Sequence, residues 1–168
     1  MRLHQAVRGC LSSLCLILLA ATVVSAADAP VAQVSRVEVV LADQYKSQVA
    51  ALREEFAQAG LTNVHFQFAK LGQPPQNIGL GRAVPVELAR EAIRLAAKYN
   101  LGVGILLPDR LFPPRFVTIA SSNYDDTVEW PISPAQLAQL QSPELTTDQF
   151  HRLYREFTTS AADVKGRY

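Results

Sequence analysis

The chain has little cysteine, little histidine and no excess of charge, and each shortage closes off a class of function. Its cysteines are Cys10 and Cys15, both ahead of residue 26. A chain processed after Ala26 keeps neither. It would form no disulfide and lacks the cysteines of the usual structural zinc sets. Beyond residue 26 the histidines are His65 and His151, each alone in its segment. Charge is balanced, with 16 basic and 15 acidic residues. Losing Arg2 and Arg8 leaves 14 basic residues against 15 acidic, a net charge of −1. Such a balance predicts no general attraction to nucleic acid or to an anionic membrane.

The first 26 residues read as a cleavable signal peptide. Arg2 and Arg8 precede an apolar run from Leu11 to Val24, and Val24-Ser25-Ala26 carries small residues at peptidase spacing. The run is short of the roughly 20 apolar residues that span a bilayer. The expectation is therefore an exported chain, periplasmic or secreted, with no stable membrane insertion after cleavage. Residues 27–35 read as a linker, 36–157 as one α+β domain, and 158–168 as a disordered tail.

Within the domain, Arg36 to Leu41 alternates as a strand, with Val37, Val39 and Leu41 on one face. Asp43 is placed to cap a helix over 44–59, closed by Gly60. Tyr45, Val49, Leu52 and Phe56 give that helix its apolar stripe. Asn63 to Lys70 alternates again. Val64, Phe66 and Phe68 face inward, while His65 and Gln67 face out. Ile78 and Leu80 mark a short strand, and Pro85 to Asn100 is rich in helix formers. Val103–Leu107 is a continuous apolar run, predicting a strand buried on both faces. Phe116–Ala120 is a further strand. Ser133-Pro134 starts a helix through Leu140, and Thr146 with Gln149 forms a capping box for one to about Phe157.

Gly79 and Gly81 raise the question of a phosphate cradle. A dinucleotide fingerprint needs a third glycine where Val84 stands, and a P-loop needs Gly-Lys-Ser/Thr where Gly81-Arg82-Ala83 stands. The stretch instead predicts a strand turning into a helix, with no cofactor. The element order is that of an α+β split βαβ (ferredoxin-like) fold. Two helices cover one face of a mixed sheet, its strands expected to run antiparallel, and a helical C-terminal extension follows. Residues 36–121 resemble the SPOR and LytR C-terminal families of bacterial envelope domains. The likeness lies in Val37-Glu38-Val39-Val40-Leu41, Gln48 to Gly60, Asn77 to Gly81, Ala89 to Ile93 and Phe116 to Ala120. The resemblance implies an envelope protein or glycan bound on the sheet; the two C-terminal helices depart from the pattern.

The candidate binding residues are Arg82, Arg90, Arg94 and Lys98, with Tyr124 and Trp130. The last three cations of the first group form a ridge at i, i+4 and i+8, and Glu87 and Glu91 stand where they would neutralise it. Tyr124 and Trp130 flank the acids Asp125, Asp126 and Glu129, which lack the spacing of a calcium loop. No metal is expected. Ser121 and Ser122 lack a nucleophile-elbow context and would need His65 or His151 beside them. The expected function is a non-enzymatic binding module of the envelope. The alternatives are a small hydrolase built on the 121–130 loop and a subunit that docks through its C-terminal helix. His65 and Gln67 share a sheet face with Glu38 and Thr118, which is either a wet binding surface or the lining under the last helix; Phe150, Leu153, Tyr154 and Phe157, an apolar stripe that must bury somewhere, favour the second.

Overall fold

The computed structural model describes residues 34–70, 72–121 and 131–165, with side chains through 158. The leader, the linker to residue 33, Ser122, and the 123–130 stretch with Tyr124 and Trp130 lie outside the described residues. The strands are β1 (Arg36–Ala42), β2 (Val64–Ala69), β3 (Asn77–Leu80), β4 (Ile105–Leu107) and β5 (Phe116–Ile119). The helices are α1 (Val49–Gln58), α2 (Val86–Tyr99), α3 (Pro134–Leu140) and α4 (Thr147–Lys165). The fold is α+β, with a five-stranded mixed sheet in the order β2-β1-β5-β3-β4.

Two βαβ units make up the sheet. In each, a helix joins two neighbouring parallel strands, β1 to β2 and β3 to β4. Strand β5 stands between the units, parallel to β1 and antiparallel to β3. The expected antiparallel pairing is thereby corrected: only β3 and β5 pair that way. Periodicity tells which face of a strand is buried but not which strand lies beside it. Because the units run in opposite directions, right-handed crossovers put both helices on one face. Contacts agree. Phe56 of α1 stacks at 6.4 Å on Tyr99 of α2, and Glu55 meets Lys98.

That face holds the core. Val37, Val39, Leu41, Ile78, Leu80, Val117 and Ile119 pack beneath Leu52, Phe56, Ala92, Ile93 and Ala96. Burying each large aliphatic or aromatic side chain contributes about 1.5–3 kcal/mol. Helix α1 begins later than expected. Residues Asp43–Gln48 wind as a 3-10 helix, and Asp43 makes no capping bond. Gly60 closes the end at φ +79°, a left-handed conformation that glycine adopts without steric cost. Strand β4 is an edge strand, although Leu106 and Leu107 are buried.

The glycines of the 77–81 stretch serve close packing. A Cβ at Gly79 would strike the Phe112 ring, and one at Gly81 would strike the backbone carbonyl of Pro113. Phe112 stacks on Phe116 at 5.7 Å, so the 108–115 loop covers the back of β5 and β3. The backbone passes where a phosphate cradle would have to be open. The α2 entry is also occupied, since the Thr147 hydroxyl accepts from Val86 N–H at 3.3 Å.

Both C-terminal helices start as expected. Ser133 and Gln136 form a capping box, and Thr146 and Gln149 form another. Helix α4 then runs through Lys165, so residues 158–165 are helical where a frayed tail was expected. It does not lie over His65 and Gln67, which remain exposed. It packs on β4 and the start of α2, where Phe150 and Tyr154 are fully buried. The Tyr154 hydroxyl sits at the last rung between β3 and β4. It accepts from Leu80 N–H at 3.3 Å and can donate to Leu107 O at 2.7 Å or Ile78 O at 3.1 Å. Beyond Leu107 comes Pro108, which has no N–H to continue the ladder. His151, 3% exposed, holds Val84 O through Nε2 at 2.8 Å.

Tyr154→Phe keeps the ring and removes the hydroxyl, leaving backbone groups buried at the rung. It should cost about 1–2 kcal/mol in urea unfolding. An unchanged midpoint would show that the hydroxyl does not hold α4 in place.

Candidate functional site

The basic ridge on α2 is built as its spacing dictates, but its members do not act together. Arg82 is exposed in the turn between β3 and α2. Arg90 is half-buried and donates from Nη2 to Leu145 O at 3.2 Å. Its own backbone carbonyl accepts from the Gln141 amide at 3.3 Å. Arg90 therefore ties α2 to the α3–α4 connection and is not a free cation.

Arg94 and Lys98 turn the other way, toward α1. Arg94 pairs with Glu91 at 2.8 Å and with Glu55 at 3.6 Å. Lys98 pairs with Glu55 at 2.8 Å and lies 5.0 Å from the Tyr99 ring centroid. The Tyr99 hydroxyl donates to the same carboxylate. The expected Glu91–Arg94 neutralisation is present. The Glu87–Arg90 one is not, because Arg90 is drawn to the Leu145 carbonyl.

Glu55 is thus the hub of the α1–α2 contact. Burial pushes its carboxyl up. The hydrogen bonds from Lys98 and Tyr99, with the charges of Lys98 and Arg94, outweigh that and hold it below the usual range. Beside it runs a groove of about 770 Å³, lined by Ala51, Glu54, Glu55, Gln58, Glu91 and Arg94 among others. Its acids are already paired with its cations, apart from Glu54, which accepts from the Gln58 amide at 3.4 Å. The groove carries mixed, internally satisfied charge.

Residues considered for hydrolysis are dispersed. Ser121 lies beyond β5, where its backbone exchanges hydrogen bonds with the Asn77 amide at 2.8 and 3.0 Å. His151 is anchored at Val84, past the opposite end of β3. His65 is exposed on β2. Among the described residues, no group of three His, Cys, Asp or Glu side chains could hold a metal ion.

The half of the sheet back that Phe112 does not cover is the face expected from the sequence to be either a wet surface or the lining under the last helix. There His65 and Gln67 of β2 are exposed, and Glu38 and Val40 of β1 are half-buried. Glu38 pairs with Arg36 at 2.8 Å. The alternation of β2 was the signal for this face. What left it open, the docking of α4 at the opposite edge of the sheet, is not encoded locally.

Two outcomes follow. Arg90→Ala should lower stability by about 1–2 kcal/mol while Arg82→Ala changes it by less than about 0.5 kcal/mol. Equal, negligible effects in chemical denaturation would return Arg90 to the solvated surface. For Glu55, a folded-state pKa below the unfolded one gives stability that is present above the unfolded value near 4.3 and lost as pH falls through the folded value. The wild type should therefore exceed Glu55→Gln by about 0.5–1 kcal/mol at pH 7, a margin that vanishes toward pH 3. A margin independent of pH would contradict this.

No family model, no curated protein and no solved structure matches the chain.

Proposed function

We propose that the chain is an exported, non-enzymatic interaction module that recognises an envelope protein or glycan. The observation that carries this reading is the open β1–β2 half of the sheet back. It presents His65 and Gln67 to solvent, beside Glu38 and Val40. Polar side chains standing in a row on a rigid sheet suit recognition by hydrogen bonding, with little entropy to lose on binding. The leader-like first 26 residues support the exported setting. Of the earlier candidates, Arg82 is exposed in the turn, whereas Arg90, Arg94 and Lys98 already have intramolecular partners. Tyr124 and Trp130 remain proposed contributors as aromatic contacts.

A second reading, docking through the C-terminal helix, is less well supported. Phe150 and Tyr154 are buried within this chain's own core and are not available to a partner.

The test is co-sedimentation with isolated cell-wall sacculi and with solubilised envelope protein, comparing the wild type with a His65→Ala/Gln67→Ala double variant. The variant should keep its unfolding midpoint, because both side chains are exposed, and lose about tenfold or more in retention, since truncating contact side chains commonly costs over 1 kcal/mol. Wild-type retention unchanged by the double substitution would remove this face as the recognition surface.

A further inference from the structure

We propose that the outer edge of β2 is a docking edge for an acidic, extended segment of a protein partner, which would add a sixth strand to the sheet. The inference rests on the interaction-module reading and deepens it. Strand β2 is the terminal strand on its side. The register with β1 and the Val37 N–H bond to Asn63 O fix which backbone groups face outward. In a parallel ladder the groups alternate. His65 and Gln67 turn their N–H and C=O toward β1, and Val64, Phe66 and Phe68 turn theirs away. The outer edge of β4, by contrast, is engaged: Gly104 O accepts from Ile132 N–H, and α4 packs beside it.

An open edge invites pairing, and proteins often guard it with charge. Here the guard is partial. Arg53 Nη1 donates to Val64 O at 3.3 Å, and its guanidinium lies 5.7 Å from the Phe66 ring centroid. Among the described residues, the outward backbone groups of Phe66 and Phe68 have no hydrogen-bond partner. Lys70 is exposed just past the end of β2, and Lys46 is exposed on the 43–48 turn, which touches β2. Among the described residues, Arg53, Lys46 and Lys70 have no ion-pair partner. The one acid on β2, that turn and their junctions is Asp43. The margin is cationic, with Lys46 and Lys70 against Asp43 and with Arg53 reaching over it from α1.

That sign selects the occupant. A second copy paired about β2 would bring two like sets of cations together, which disfavours it. An extended segment bearing carboxylates on alternate positions would gain main-chain bonds from the Phe66 and Phe68 groups and ion pairs with the flanking cations. Of the cations on α2, Arg94 and Lys98 are already committed to Glu91 and Glu55.

The experiment uses the full chain and two synthetic probes, acetyl-Asp-Val-Asp-Val-Asp-Val-amide and its Lys-for-Asp analogue. Amide hydrogen exchange is followed residue by residue. The acidic peptide should slow exchange at Phe66 and Phe68 by about tenfold or more, with an effect that weakens as salt rises through about 0.3 M. The lysine analogue should do nothing. Lys70→Glu, at an exposed site outside the strand, should reduce the effect, and Arg53→Glu should do the same. No slowing, equal slowing by both peptides, or slowing that grows with protein concentration alone would overturn the proposal; the last would mark self-pairing. Loss of the edge effect with retained binding to envelope material would sink the edge and leave the interaction-module reading standing.

Discussion

The buried hydroxyl of Tyr154 is the contact on which the arrangement of this molecule turns. It meets three backbone groups at the rung where β3 and β4 part. Burial pushes its phenol far above the ordinary range, so it stays neutral and keeps its proton. A polar group so deep is tolerated because it is satisfied, and the same satisfaction fixes where α4 must lie. His151 and Thr147 extend the seam along one helix, to Val84 O and Val86 N–H. One turn further, Arg155 reaches Asp109 at 3.4 Å in the loop after β4. The C-terminal helix is thereby part of the fold, and the side of the sheet far from it remains open.

Charge is distributed to the same end. Arg90 is spent on the α3–α4 connection, and Glu55 gathers Lys98, Tyr99 and Arg94 between α1 and α2. Exposed pairs of this kind add little stability individually. Their effect is to commit Arg94 and Lys98 between the helices, while among the described residues Arg53, Lys46 and Lys70 have no ion-pair partner. Recognition by edge and face, not by a reactive cluster, is the reading that this distribution supports.

Much of the local structure was legible in the sequence. The alternation of β2 placed Val64, Phe66 and Phe68 inward and His65 and Gln67 outward, as found. Ser133/Gln136 and Thr146/Gln149 signalled both C-terminal helices through capping chemistry confined to four residues. Gly79 and Gly81 read as part of a strand turning into a helix, as found, although their packing against Phe112 and Pro113 depends on a loop some 30 residues away. The strand order was not legible, since β5 reaches its place between the units through long-range pairing. Nor was the role of Tyr154, whose hydroxyl partners on β3 and β4 lie 47 to 76 residues away. Pro108 directly after a short strand was the available hint that a ladder would end there. The ridge showed the opposite failure: its spacing was plain, yet Leu145 and Glu55, distant in sequence, decide what Arg90 and Lys98 do.

The central claim is that α4 folds as one cooperative unit with the sheet and leaves the β1–β2 side free. Native-state hydrogen exchange under increasing denaturant tests it most directly. The account predicts that the Phe150 to Tyr154 amides open with the same free energy as those of β3, converging on global unfolding. Exchange of that helix through a separate opening several kcal/mol below the sheet's would contradict it.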